Sequence, residues 1–166
     1  MKLSVVIPAQ NEESSIAQTV RALASRLNAE GIEKEIIVVD DGSSDRTGAI
    51  GSQLQAEDPD VRCVRNDGPS GFGFAVRRGL DLFSGDAVAI VMADLSDSPD
   101  DLVSYYRVLE EGYDCAFGSR FIAGSSVNDY PTLKLTLNRV VNVFSACSLV
   151  TAITTRRTPS KPTGAK

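Results

Sequence analysis

Histidine and tryptophan are absent from this 166-residue chain, and cysteine occurs three times. The missing histidine removes Ser-His-Asp and Cys-His nucleophilic chemistry, and with it most zinc enzymes. Cys63, Cys115 and Cys147 are odd in number, widely separated and not at metal-ligand spacing. Cys63 and Cys115 lie in apolar runs, where a free thiol acts as a small hydrophobe, so a reducing compartment, the cytosol, is expected. An excess of positive charge is missing too. The net charge of −5 argues against general nucleic-acid binding. That charge is uneven: the stretch from Arg156 to Lys166 holds four basic residues and no acid, so the remainder carries −9. No apolar leader precedes the first strand-like run, and no signal peptide is expected. What is present, 42% hydrophobic and 23% charged residues, fits one soluble domain.

Five short apolar runs alternate with segments of helical spacing. Leu3 to Ile7 is β-branched and stops at Pro8, which predicts a first strand. Asn11 is a candidate cap for a helix over about 12–28, in which Ile16, Val20, Leu23 and Leu27 share a face and Gly31 marks the end. Further strands are predicted over 35–39, 61–64, 87–92 and 113–117. Helices are predicted over 46–57, over a segment with Val76, Leu80 and Phe83, and over 100–110, closed by Gly112. The run from Ala87 to Met92 is unbroken, so this strand is expected to be buried on both faces. The connections are long enough for crossovers. An α/β fold follows, with a mostly parallel sheet and helices on both faces.

Every polar cluster falls at the carboxyl end of a strand, where open α/β sheets bind ligands. Asp40-Asp41-Gly42-Ser43-Ser44-Asp45 follows the second strand. A tight turn and a helix cap need only one of those acids, so the adjacent pair points to a ligand. Asn66-Asp67-Gly68-Pro69-Ser70-Gly71 follows the third. Its glycines permit close approach of a phosphate, and equally build a plain loop before a helix. Asp94, Ser96, Asp97, Ser98 and Pro99 follow the fourth. Asp94 is set to reach the sheet edge, while Asp97 and Ser98 also suit a helix start with Pro99 at its first position. Gly118-Ser119-Arg120 follows the fifth and puts a cation on the same side, where an ordinary surface arginine would also fit.

The last third changes character. Leu133 to Ile153 is apolar but carries Lys134, Asn138, Arg139 and Asn142. Its length approaches a bilayer span, but the charges near its start favour an interfacial helix, and packing on the domain's own sheet is the other reading. Residues 154–166, TTRRTPSKPTGAK, lack apolar content and are expected to be disordered.

The ordered set of motifs resembles a known family. SVVIPAQNEE at 4–13, IIVVDDGSSDRT at 36–47, GFGFAVRRGL at 71–80, VMADLSDSPDDL at 91–102 and GSRF at 118–121 are similar to inverting family 2 glycosyltransferases of the GT-A fold. Within that family the polyprenyl- (dolichol-) phosphate sugar synthases are the branch resembled, over roughly 2–145. The resemblance implies a Rossmann-like GT-A domain over 1–131 that binds a nucleotide-diphosphate sugar, an amphipathic acceptor-side or interfacial helix over 132–153, and a basic tail over 154–166. It implies transfer of a sugar to a polyprenyl phosphate at the membrane surface, with the protein cytoplasmic and peripheral on the cytoplasmic face. Pro8, Ala9 and Glu12 would line base and ribose, and Asp41 would hold the base edge with Asp40 beside it. Asp94, assisted by Asp97, would bind Mg²⁺ or Mn²⁺ on the diphosphate. Arg120 would act with Asp94 at the reacting centre, and Lys134 and Arg139 would meet phosphate oxygens of donor or acceptor. A divalent ion on a carboxylate, with nearby cations, makes a nucleoside diphosphate a competent leaving group. The acceptor phosphate is already anionic, which suits a site without histidine.

The chain departs from the family at two points. Met92 stands where the Asp-x-Asp metal motif has its first acid, and the sequence leaves the family pattern after about residue 142. A non-catalytic, truncated nucleotide-sugar-binding remnant is therefore the alternative. A receiver-type signalling domain would carry its acid pair after the first strand and a lysine after the fifth, and a dehydrogenase would carry its glycine loop after the first strand. Pro8-Ala9-Gln10-Asn11 holds neither an acid pair nor a glycine.

Overall fold

The computed structural model describes residues 1–117. Four strands alternate with four helices: β1 (Leu3–Ala9), α1 (Ile16–Ala29), β2 (Lys34–Asp40), α2 (Thr47–Glu57), β3 (Val61–Arg65), α3 (Phe72–Leu80), β4 (Ala87–Ile90) and α4 (Pro99–Glu110). All three strand pairings are parallel, in the order β3-β2-β1-β4. The chain moves from β1 through β2 to β3, then returns to the other side of β1. The topological switch therefore lies between β1 and β4, the place where such sheets open a ligand crevice.

Period-two alternation divides the apolar residues between two faces. Leu3, Val5 and Ile7 of β1 and Ile36 and Val38 of β2 join Ile16, Val20, Leu23 and Leu27 of α1 in the larger core, with Leu102, Val103 and Tyr106 of α4. Val6, Ile37 and Val39 point the other way, onto Ala75 of α3. That layer is thin because α3 sits close. A methyl group added at Gly79 would run into the Val6 side chain.

The edge opposite the polar clusters carries a buried carboxylate. Glu35 Oε1 accepts from Ser4 Oγ at 2.6 Å and from the Ser84 backbone N–H and hydroxyl, and Arg62 lies 3.8 Å from Oε2. Burial disfavours the Glu35 charge. The hydrogen bonds from Ser4 and Ser84, with Lys2 nearby, outweigh it and hold the carboxyl below the usual glutamate range.

Several expectations are corrected. Pro8 does not end β1 but lies inside it, paired in register with Val39. Val6 O accepts from Val91 N and Ala9 O from Asp41 N, so alternation turns position 8 toward β4, which has already ended at Ile90. The missing proline N–H deprives no strand partner there. Helix α1 starts at Ile16, after Ser15, rather than near residue 12. Asn11 does not cap it. Its φ is +57°, and its side-chain oxygen accepts from the Ser44 N–H and hydroxyl instead. β4 is not buried on both faces. Val88 and Ile90 are 37% and 48% exposed: among the described residues, α3 packs on β1 and β2 rather than over this strand. Residues 113–117 form no strand, and Tyr113, Cys115 and Phe117 are exposed. Apolar composition supplies strand propensity, but a strand persists only beside a hydrogen-bonded neighbour, and none pairs with this segment among the described residues. Cys63 does pack against the larger core. Burial, and then the Asp40 charge, push its thiol up.

Among the described residues, no helix is long and apolar enough to cross a membrane. The interfacial helix expected over 132–153, the tail over 154–166, and Arg120, Lys134, Arg139 and Cys147 lie outside the described residues.

Candidate functional site

Three loops meet the carboxyl edge of the sheet, after β1, β2 and β3, and the turn after β4 joins them at the same edge. The β2 loop begins with the acid pair, and the structure splits that pair. Asp40 turns toward α2: its Oδ1 accepts from Ser43 N at 3.0 Å, and a methyl group on Gly48 would come within 2.7 Å of its Oδ2. Asp40 thus builds the turn, and Gly42, at φ +73°, completes it in a conformation that glycine adopts without strain.

Asp41 turns toward the loop after β3 and is buried. Its Oδ1 accepts from Asn66 Nδ2 at 2.6 Å, and its Oδ2 accepts from Gly71 N at 2.7 Å and Ser70 Oγ at 3.0 Å. Burial disfavours the charge, but the bonds from Asn66, Gly71 and Ser70 outweigh it and keep the carboxyl below the usual aspartate range. Gln10 Nε2 donates to Asp41 O at 3.0 Å and to Ser70 Oγ at 3.1 Å, which ties in the loop after β1. A cleft of about 350 Å³ opens here, bordered by Asp41, Gly42, Arg65, Asn66 and Ser70. The glycine-rich loop is therefore held by Asp41. The sequence offers phosphate approach or a plain loop before a helix, and neither shows the tie to Asp41.

Pro8 and Ala9 are buried at the end of β1, and Ala9 O accepts from Asp41 N at 2.9 Å. Glu12 is half-buried, with Oε2 accepting from Ser15 Oγ at 2.7 Å. The structure thus joins the β1 and β2 loop residues at one edge. Gln10, Asn66 and Ser70 were missed as site residues. Asn66 stands directly after a strand in Asn-Asp-Gly, a pattern that reads as a turn, and only the fold shows that its amide reaches a buried acid.

The turn after β4 is built separately. Ala93 O accepts from Thr19 Oγ1 at 2.8 Å, anchoring it to α1. Asp94 is exposed, and its Oδ1 accepts from Ser96 N at 3.0 Å. Asp97 Oδ2 accepts from Met92 N at 2.8 Å, folding the turn back on itself around Leu95 at φ +63°. Ser98 caps α4 by accepting from Asp100 N, with Pro99 in the first turn, as the helix-start reading expected. No group of three acidic or cysteine side chains positioned to hold a metal occurs among the described residues. The donor set is nonetheless of the right kind. Mg²⁺ takes hard oxygen ligands and is commonly held by one or two carboxylates plus substrate phosphates, a role within reach of exposed Asp94.

Comparison with known proteins agrees with this architecture. The profile of Glycosyl transferase family 2 matches residues 4–158. The chain is 34% identical over 131 residues to the dolichol-phosphate mannosyltransferase of Pyrococcus furiosus, covering 79% of this chain and 36% of that protein. It is 34% identical over 145 residues to the polyprenol monophosphomannose synthase of Mycolicibacterium smegmatis, covering 85% and 53%. The chain thus spans about a third to a half of the length of these relatives. Among solved structures, the glucosyl-3-phosphoglycerate synthase of Mycobacterium tuberculosis, in complex with Mn²⁺, UDP-glucose and phosphoglyceric acid, superposes with a TM-score of 0.54. The identity is 28%, over 65% of this chain and 39% of that one. With its parallel sheet, crossover helices and these neighbours, the fold is the GT-A type. The chain belongs to the family 2 glycosyltransferases.

Proposed function

We propose that this chain forms the donor-binding part of an inverting glycosyltransferase that moves a sugar from a nucleotide-diphosphate sugar to a polyprenyl phosphate, with a divalent cation. The observation that carries the reading is the gathering of the β1, β2 and β4 loops at one sheet edge, beside the switch between β1 and β4. The names of the two mannosyl-transferring relatives support the lipid acceptor, and the Mn²⁺ complex of the third protein supports the metal.

In this reading Pro8, Ala9 and Glu12 line base and ribose. Asp41 receives the base edge, exchanging one of its loop hydrogen bonds for a base N–H, and Asp40 sets the turn that presents it. Asp94, with Asp97 as the second candidate carboxylate, holds Mg²⁺ or Mn²⁺. That ion neutralises the diphosphate when bound. An oxygen of the acceptor phosphate attacks the anomeric carbon as the bond to the diphosphate oxygen breaks on the opposite face. The nucleoside diphosphate leaves with the electron pair, and the anionic nucleophile has no proton to lose. Arg120, Lys134 and Arg139 meet the phosphates, residues 1–131 serve as the donor domain, and residues 132–153 serve the acceptor side. The protein works as a peripheral component on the cytoplasmic face of a membrane.

Met92 in place of the first motif acid favours a second reading, nucleotide-sugar binding without transfer. Calorimetric titration of the chain with UDP- and GDP-sugars, with and without Mn²⁺, tests both. Metal-dependent binding of one donor followed by transfer to a polyprenyl phosphate is expected. Binding without transfer supports the second reading, and no binding by the folded chain overturns both.

A further inference from the structure

The loops after β1 and β2 are stitched together by hydrogen bonds that neither the family motifs nor the donor reading assigns. Asn11 N donates to Ser43 Oγ at 3.0 Å, and Ser44 N donates to Asn11 Oδ1 at 2.9 Å. Glu13 N donates to Asp45 Oδ2 at 3.1 Å, and Arg46, through N and Nε, donates to Glu13 Oε2 at 3.1 and 3.2 Å. All of these partners except half-buried Ser43 and Asp45 are exposed. One stitch is different. Glu12 N donates to Thr47 Oγ1 at 2.8 Å, and the same hydroxyl donates a hydrogen bond to Asp45 Oδ1, which also accepts from Thr47 N at 2.9 Å. Thr47 is completely buried. Its hydroxyl accepts from one loop and donates to the other, in a place water does not reach.

We infer that Thr47 is a positioning residue for the nucleotide site: its buried hydroxyl clamps the loop carrying Glu12 onto the loop carrying Asp41. The inference rests on the donor reading above and adds a residue that does not touch the ligand. Glu12 and Asp41 belong to different crossovers, separated by the whole of α1 and β2. Ala9 O to Asp41 N joins them at their strand ends, and Thr47 joins them one turn further out. Two fixed points define an orientation where one leaves a hinge. Ligand loops held in this way lose less freedom on binding, so affinity is the quantity that should respond.

Thr47→Val keeps the shape and removes the hydroxyl, leaving Glu12 N–H without its partner and Asp45 Oδ1 with the Thr47 backbone N–H alone. Thr47→Ser restores the hydroxyl. Affinity of the full chain for UDP and GDP in the presence of Mn²⁺ is measured by calorimetry on protein whose folding is checked by circular dichroism. Thr47→Val is expected to bind the preferred nucleotide about tenfold more weakly, and Thr47→Ser within about twofold of the parent, the size expected from one buried hydrogen bond. Amide exchange at Glu12 should accelerate in Thr47→Val alone. If Thr47→Val does not fold, Asp45→Ala takes its place, removing the far end of the relay, and a loss of affinity is again expected. Wild-type affinity in a folded Thr47→Val or Asp45→Ala protein overturns the inference and leaves the donor reading intact. A parent chain that binds neither nucleotide overturns the donor reading, and the inference falls with it.

Discussion

Asn66 and Asp41 are joined by a 2.6 Å hydrogen bond between an amide just past β3 and a carboxylate just past β2. The pair locks the glycine-rich loop to the floor of the cleft, and Asn66 also donates to Pro69 O at 2.9 Å. Asn66→Ala should leave Asp41 Oδ1 without a partner and loosen the loop. A loss of about 1–2 kcal/mol in unfolding free energy is expected, because the remaining acceptor is a buried charge. Urea denaturation of the two proteins measures it. A variant as stable as the parent would show that solvent replaces the amide without cost.

Asp94→Ala should abolish the metal dependence of nucleotide binding. Asp94 is exposed at the carboxyl edge of the sheet, and its Oδ1 accepts from Ser96 N within the turn after β4. The same titration run with a chelator should reproduce the variant's behaviour in the parent. Unchanged Mn²⁺ enhancement in Asp94→Ala would remove this residue from the metal site.

Acid stability should depend on Glu35. Its folded value is depressed below the ordinary 4.5, so its contribution is fully present above that pH and is lost as pH falls through the lower folded value. Glu35→Gln keeps the side chain's size and loses the charge. The variant should be less stable than the parent near neutral pH, and the gap should shrink at about pH 4 and below. Denaturation midpoints at several pH values test this, and a gap independent of pH would contradict it.

Gly79→Ala should separate α3 from β1, since the added methyl group meets Val6 in the thin second core. Overpacking of this kind costs about 1–3 kcal/mol. Thermal unfolding measures the loss, and a neutral result would mean that α3 slides to absorb the methyl group.

The order and nature of the eight described elements were legible because each apolar run was short and each helical stripe regular. Ile16, Val20, Leu23 and Leu27 announced α1, and all four are buried. Boundaries failed where tertiary bonds override local preference. Asn11 reads as a cap, but Ser44 offers its side chain two donors, and the helix waits until Ile16. Met92 and Val88 read as core because periodicity reports apolarity, not whether a helix arrives to cover it. After β2 the two adjacent acids could be marked only as a pair, and the family resemblance alone put the base-edge role on Asp41. Its partners could not be marked, because Gln10 and Asn66 lie 31 and 25 residues away. Thr47 was invisible for the same reason: a threonine opening a helix is unremarked until both of its partners are known.

One consequence of Pro8 remains. Val6 pairs with Ile90 and receives Val91 N, so the next rung of that ladder would run from the amide of residue 8 to the Val91 carbonyl. Proline has no such amide. The two strands must therefore part company at this point, like a zip stopped by a missing tooth, and the freed chain bends away through Ala93 into the turn that carries Asp94. A single imino acid in β1 thereby decides where the neighbouring strand's acid stands, although the two residues share no motif and lie 86 positions apart in the sequence.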